Sequence, residues 1–352
     1  MYYSKEYIED LDAVIKNIPS ADMLKGKSII VTGATGLIGS AAADILFRLN
    51  EKASYGMTIY LAGRDENRMK ERFSEGFENG EAPSYQFLQY DAATGVIDGV
   101  DTVDFIIHGA SNADPKRIMG EPVETMMSNL LGLQGLISSV DMEKLQRVLY
   151  ISSSEVYGIN ETFEPYTENQ LGYIDILNPR SCYPSSKRAA ETLLAAYAEE
   201  YKLDFTIVRP GHIYGPTIKF SDSRVSADFS LKAAKGEAIV MKSKGEQLRS
   251  YCHVLDCASA IIAVLINGEN GNAYNISAPQ AIVTIREMAE AFAEAGGVEI
   301  SFDVPTEQET KSFNKMPCSA LNSDKLEALG WKAAFDMKLG AERTVTELKQ
   351  RL

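Results

Sequence analysis

Lys27-Ser28-Ile29-Ile30-Val31-Thr32 runs directly into Gly33-Ala34-Thr35-Gly36-Leu37-Ile38-Gly39. The first six residues read as a short buried strand and Ser40 to Asn50 as a helix, so a GxxGxxG sits where strand turns into helix. Gly33 permits the tight turn, Gly36 lets the backbone approach a pyrophosphate, and Gly39 lets the helix pack closely on the strand. The first helical amides, unpaired within the helix, then face the anion. This stretch predicts the opening unit of a dinucleotide-binding parallel sheet.

Outward from it, Thr58–Ala62, Gln86–Gln89, Val103–His108, Arg147–Ser152 and Phe205–Arg209 read as further short strands, with helices over Pro122–Val140 and Pro184–Tyr201. The alternation predicts an α/β fold: a Rossmann-type, doubly wound parallel sheet with helices on both faces. Residues 4–19 carry apolar positions at helical spacing and read as a lead-in helix. After residue 210, helices at 226–236, 255–267 and 285–296 mix with strands at 238–241, 273–277 and 299–302 that read as isolated. The expected organisation is a helical extension over 1–25, a dinucleotide-binding domain over 26–180 continued by 181–212, and a smaller α/β substrate-binding region over 213–352.

The 352 residues hold 35 Lys and Arg against 49 Asp and Glu, a net charge of −14. Such a surface repels nucleic-acid backbones and anionic lipid, so neither is expected as a partner. An anionic substrate would have to be held by a few local Arg or Lys. The longest apolar runs, such as Ala258–Ile266, are too short to cross a bilayer, and residues 1–20 lack the apolar run of a signal peptide. Cys182, Cys252, Cys257 and Cys318 form no CxxC and only three His are present, so neither a disulfide framework nor a metal site is expected. The thiols read as reduced and the location as cytoplasmic.

The choice between NAD and NADP is written at the end of the second strand, Leu61-Ala62-Gly63-Arg64-Asp65. An acid there binds the ribose hydroxyls, and an Arg nearby accommodates a 2′-phosphate. Gly63 stands about where the acid is expected, Arg64 follows, and Asp65 lies one further on. NAD is the expected cofactor, with NADP opened by Arg64; as an alternative, Arg64 is a plain surface charge. Asp91 ends the third strand, where its carboxylate either accepts from an adenine amino group or caps a helix.

Ser152-Ser153-Ser154-Glu155 ends the fifth strand, at the carboxyl edge where α/β ligands sit. Tyr183 precedes Pro184, a residue favoured in a first helical turn, and Lys187 follows one turn later on the same face. A free phenol has a pKa of about 10, so Tyr183 needs nearby positive charge to act as a base. Lys187 and an oxidised nicotinamide ring are both cations. The Ser153 hydroxyl can share the proton and orient the reacting oxygen. A cradled dinucleotide with this trio is equipment for moving a proton and a hydride together.

On these motifs the chain resembles the extended short-chain dehydrogenase/reductases, the NAD-dependent epimerase/dehydratase family acting on nucleotide sugars. The resemblance covers roughly residues 27–345. It rests on Thr32 to Gly39, on Ser152-Ser153-Ser154-Glu155-Val156-Tyr157-Gly158, and on Tyr183 with Lys187. Arg209-Pro210-Gly211-His212-Ile213-Tyr214-Gly215-Pro216 and Arg249-Ser250-Tyr251 with Val254 and Asp256 support it. Within the family the chain is most similar to UDP-glucuronate decarboxylases. His108-Gly109-Ala110-Ser111-Asn112-Ala113-Asp114-Pro115 with Asn129, Arg180-Ser181-Cys182-Tyr183, and Asp222-Ser223-Arg224-Val225 carry that likeness.

The resemblance implies cofactor contacts from Gly33, Thr35, Gly36, Leu37, Ile38, Gly39, Arg64, Asp91, Ala92, Ala110, Ser111, Asn129, Tyr183, Lys187, Pro210 and His212. It implies catalysis by Ser153, Ser154, Glu155, Tyr183 and Lys187, and substrate contacts from Asn112, His212, Arg224 and Arg249. Ser154 stands where the family's 4,6-dehydratases carry Asp, while Glu155 remains, as in the decarboxylases; alternatively Glu155 bonds backbone behind the site. His212 stands where the decarboxylases more often carry Asn. Arg224 and Arg249 suit a diphosphate or a carboxylate because a guanidinium fork matches those oxygens, the alternative being surface ion pairs.

The implied activity is transient oxidation of a nucleotide-diphosphate sugar at C4, decarboxylase-like, with 4-epimerisation or keto-sugar reduction as alternatives. A non-catalytic scaffold would need a broken Tyr/Lys pair, and the pair is intact. A homodimer is expected across the helices Pro115–Val140 and Pro184–Tyr201, through Leu130, Leu133, Leu136 and Ile137 beside Leu193, Leu194 and Tyr197. These residues could equally be core.

Overall fold

A computed structural model describes residues 3–77, 81–97, 99–160, 163–303 and 318–352. Six strands follow the expected alternation: β1 (Ser28–Thr32), β2 (Thr58–Gly63), β3 (Gln86–Gln89), β4 (Phe105–His108), β5 (Arg147–Ile151) and β6 (Phe205–Pro210). The described helices are α1 (Lys5–Ile15), α2 (Leu37–Ala53), α3 (Glu66–Arg72), α4 (Pro115–Gly120), α5 (Pro122–Ser138), α6 (Cys182–Tyr201), α7 (Val225–Lys235), α8 (Val254–Asn267), α9 (Ile285–Gly296), α10 (Asp324–Glu327) and α11 (Met337–Arg351). The central sheet has seven parallel strands, in the order Asn272–Ile276, β6, β5, β4, β1, β2, β3. The order reverses between β1 and β4, which opens a crevice at their carboxyl ends. Register levels those ends, with Thr32 facing Ala62 on one side and His108 on the other.

The strand read as isolated at 273–277 is the seventh strand of this sheet, Tyr274 pairing with Val208. Helix α8 packs on α2, β5 and β6, and Val254 through Ile266 are all buried. A sheet strand and its covering helix thus come from residues after 212. Both pack on partners 60 or more positions away, which local periodicity does not reveal. Four further strands form a small sheet, in which His212–Tyr214 pairs with Leu248–His253, which also pairs with Ile282–Thr284 and Cys318–Ser319, while Ile239–Met241 and Ile300–Phe302, read as isolated, pair with each other in parallel.

The lead-in helix is built into the core. Tyr7, Leu11 and Val14 are buried, each contributing ~1.5–3 kcal/mol by area. The Tyr3 and Tyr7 hydroxyls donate to Asp44 at 2.6 and 2.8 Å, and Arg72 pairs with the same carboxylate. Arg48 forks onto Asp12 at 2.9 Å. Helices α5 and α6 pack together, and Leu133, Leu136, Ile137 and Leu194 go into the core rather than onto an outer face. Val123, Met126, Met127 and Leu131 are the exposed apolar residues of α5.

No helix among the described residues is long and apolar enough to cross a membrane. The four cysteines are free and buried, and the described residues hold no cluster of His, Cys, Asp or Glu suited to a metal ion.

Candidate active site

Thr32, the last residue of β1, pins the crevice open. Its hydroxyl oxygen accepts from the Gly109 and Ala110 amides, both at 3.0 Å, and lies 2.9 Å from His108 Nδ1. With both lone pairs engaged, the hydroxyl proton goes to Nδ1, which places the imidazole proton on Nε2. Burial, aided by Lys187, pushes His108 down to about 3, so the ring is neutral. The loop after β4 is thereby fixed beside the glycine turn, with Ala110 and Asn112 half-buried and the Ser111 hydroxyl buried without a protein partner.

The turn leaves room for backbone alone. Gly33 has φ +72°, and a Cβ there would meet Gly109 O at 2.8 Å. A Cβ on Gly39 would meet Gly33 O at 2.4 Å. Gly36 caps α2, and Thr35, Gly36, Leu37 and Ile38 line the mouth half-exposed. Bare amides at a helix start beside a crevice suit a dinucleotide pyrophosphate.

At the other end of the crevice stand Ser153, Tyr183 and Lys187. Tyr183 is the second residue of α6 and is buried, 6% exposed. The Ser153 hydroxyl accepts from the Glu155 amide at 3.2 Å and lies close enough to the phenol to draw its pKa down. Lys187 Nζ lies 5.8 Å from the Tyr183 ring centre and 4.6 Å from that of Tyr150, and donates to Ile151 O at 2.8 Å. Burial pushes the Lys187 ammonium down to about 7. Burial also pushes Tyr183 up to about 12; Glu155 adds to this, while Ser153, Arg180 and Arg224 oppose it. A further cation beside the phenol would be needed to bring it nearer neutral pH.

Ser154 is half-buried, and Glu155 points outward to accept from Arg180 Nη2 at 2.9 Å. It bonds a side chain on the crevice side, not backbone behind the site. Ser152 instead donates to Glu191 at 2.6 Å, and Glu191 is forked by Arg209. That serine braces β5 against α6. Asn129 is fully buried between α5 and α6; its amide donates to Ser186, which bonds Tyr183 O, so it shapes the start of α6. Asp91 accepts from the Ala93 amide at 3.0 Å and thereby caps a turn, with Ala92 half-buried beside it.

The far wall follows Pro210, the last residue of β6. His212 is open to solvent, its ring 5.6 Å from that of Tyr251; desolvation by the surrounding protein, with Arg249 and Arg224, pushes it down to about 4. Arg249 is buried, with Nη1 donating to Leu248 O at 2.8 Å. Arg224 is held by Asp222 through Nε and Nη2. Ser223 donates to Asp114 at 3.0 Å and ties this wall to the cap of α4. Sequence analysis assigns no role to Thr32, His108, Arg180 or Glu191. Thr32, His108 and Arg180 lie in stretches that carry the family resemblance, but their contacts are made across the chain and are not written in those stretches.

The sequence model of the NAD dependent epimerase/dehydratase family matches residues 29–277. UDP-glucuronic acid decarboxylase 1 of Xenopus tropicalis is 29% identical over 93% of this chain and 73% of its own length. UDP-glucuronic acid decarboxylase 3 of Arabidopsis thaliana is 28% identical over 92% of this chain and 90% of its own. Among solved structures, the UDP-N-acetylglucosamine 4-epimerase of Methanobrevibacter ruminantium M1, in complex with UDP-N-acetylmuramic acid, aligns with a TM-score of 0.77 at 20% identity, over 93% of this chain and all of that one. At that identity the likeness speaks for the fold.

Proposed function

The chain belongs to the NAD dependent epimerase/dehydratase family, and from that premise we propose that it decarboxylates a nucleotide-diphosphate hexuronate, UDP-glucuronate in type, through a transient 4-keto sugar. The observation that carries the reading is the grouping of Ser153, Tyr183 and Lys187 with a Glu155–Arg180 pair at one end of the crevice. The decarboxylase relatives lend it weight.

A bound nicotinamide dinucleotide supplies hydride acceptance and return at the sugar C4. The glycine turn, the Ala110–Asn112 loop and Lys187 are the residues that would hold it. Tyr183 takes the proton of the C4 hydroxyl, while the Ser153 hydroxyl shares that proton and orients the reacting oxygen. Lys187, together with the cationic ring of an oxidised nicotinamide, would supply the positive charge that makes the phenolate accessible.

The resulting C4 ketone is β to the C5 carboxylate. The C5–carboxylate bond breaks, carbon dioxide leaves, and the electron pair is held as the enolate of the ketone. One proton then adds at C5 and the ketone is reduced back to an alcohol, so only carbon dioxide is lost and one proton taken up. Glu155 and Arg180 flank that centre. Arg249, Arg224 and His212 hold the diphosphate or carboxylate oxygens. Binding energy from the nucleotide, remote from C4, positions the sugar.

In this reading residues 26–212, completed by α8 and the strand Asn272–Ile276, carry the dinucleotide, and the rest of 213–352 the sugar nucleotide. The exposed α5 residues Val123, Met126, Met127 and Leu131 pair two copies of the chain. Four unpaired thiols accord with a cytoplasmic location.

The test is incubation of purified protein and cofactor with UDP-glucuronate, following carbon dioxide and a UDP-pentose; no turnover with cofactor bound rejects the reading. Arg64, at a strand end that lacks an acid, favours keto-sugar reduction as the second reading. Net consumption of reduced cofactor would select it.

A further inference from the structure

Residues 215–224 join the strand His212–Tyr214 to α7 and are fastened on both sides of the crevice. A Cβ on Gly215 would meet Val254 Cγ1 at 2.4 Å, so the segment leaves the small sheet pressed against the head of α8. Thr217 is buried and donates to Leu37 O at 2.9 Å, on the first residue of α2 after the glycine turn. Further on, Ser223 donates at 3.0 Å to Asp114, the residue that caps α4. Leu37 follows β1, Asp114 follows β4, and the crevice opens between those two strands. The segment is therefore a strap from one wall to the other, beginning at the helix start that suits a pyrophosphate.

The strap is gripped by Arg351, in the last turn of α11. One arm of its guanidinium donates to Pro216 O and the other reaches Ile218 O at 3.4 Å, the carbonyls on either side of Thr217. The same group lies 5.3 Å from the centre of the Phe220 ring. A planar fork that spans two carbonyls fixes an orientation that a single donor does not. Helix α11 is in turn footed on the lead-in helix. Glu347 accepts from Ser4, the cap of α1, and Arg343 Nε lies 3.4 Å from the Asp10 carboxylate. Helix α1 also packs on α2, where Tyr3 and Tyr7 hold Asp44. The extension before β1 thus ties the helix that opens at the glycine turn to the helix that carries Arg351.

A ligand seated on the turn leaves past this strap only when part of it opens locally, and the rate of that opening depends on how few ties must break. We propose that Arg351 is a positioning residue for the dinucleotide: by clamping the backbone around Thr217 it keeps the strap closed, with α1 and α11 as the frame it pulls against. The proposal rests on the dinucleotide-binding part of the function above and is independent of the sugar.

Stopped-flow release tests it. Full-length, nucleotide-stripped protein is loaded with NADH, and in parallel with NADPH, then mixed with excess oxidised dinucleotide while the fluorescence of the reduced ring is followed. Arg351→Met keeps the apolar stem and removes the fork. Release from it should be at least ~10-fold faster than from the unaltered chain. The melting temperature of its cofactor-free form should stay within about 3 °C of the parent, which a merely structural arginine would not allow. Ser223→Ala, which cuts the tie to the far wall, should also speed release. Release unmoved in either variant overturns the proposal and leaves the proposed function standing. Faster release from Arg351→Met with a melting temperature lowered by ~10 °C or more assigns the arginine to stability alone and also overturns it. Failure of both reduced dinucleotides to bind the unaltered chain overturns this proposal and the proposed function together.

Discussion

The Arg180 guanidinium donates to the Glu155 carboxylate at 2.9 Å, and the two charges act on the Tyr183 phenol with opposite sign. Glu155 raises the phenol, already pushed up to about 12 chiefly by burial, while Arg180 and Ser153 draw it back. The pair is therefore a counterweight beside the phenol.

Replacing Arg180 with Gln removes a cation and leaves Glu155 uncompensated. Both changes favour the neutral phenol, so the acidic limb of the pH–rate profile for the first hydride step should move up by ~1 pH unit. Arg180→Lys should restore most of it. Stopped-flow absorbance of the reduced cofactor checks this; a uniform loss of rate with an unmoved profile would mark Arg180 as merely structural.

Tyr183→Phe keeps the ring and removes the proton acceptor. Turnover should fall ~10²–10⁴-fold while dinucleotide affinity and melting temperature stay close to those of the unaltered chain. Steady-state kinetics alongside calorimetry checks it.

Thr32→Val removes two acceptances and one donation at the hinge of the crevice. The Gly109 and Ala110 amides and the His108 ring lose their partner, so unfolding free energy should drop by ~2–3 kcal/mol and dinucleotide binding should weaken. Urea denaturation with and without cofactor measures both.

Asp10 supplies a pH signature far from the crevice. Burial first, opposed by Arg343 and aided by Glu347, pushes it from 3.8 up to about 7. The folded chain then holds a proton that the unfolded chain has released, so stability falls as pH rises from about 4 to about 7 and levels off above. Asp10→Asn should cancel that slope, leaving the variant ~1–2 kcal/mol more stable than the parent at pH 8 and little different at pH 4. Urea melts across that range check it.

The features legible in the sequence were local ones. The glycine turn, the strands β1 to β6, and Tyr183 with Lys187 on one helical turn are each set by residues within a few positions of one another. The hidden features depend on partners far apart in the chain. Thr32 meets His108 across 76 residues, and Ser152 meets Glu191 across 39. The seventh strand at Asn272–Ile276 finds β6 only because α8 folds back over the sheet. Arg180 sits near Glu155 through the turn before α6, a geometry that no periodicity encodes. Leu133 and Leu136 looked available for a partner because periodicity shows a face without showing what covers it.

The most direct test of the account is a turnover with UDP-glucuronate carrying deuterium at C4. Hydride removed and returned at the same carbon predicts carbon dioxide release and a UDP-pentose that keeps the deuterium at C4. Carbon dioxide release with the label exchanged for solvent hydrogen, or a product formed without C4 oxidation, would contradict it.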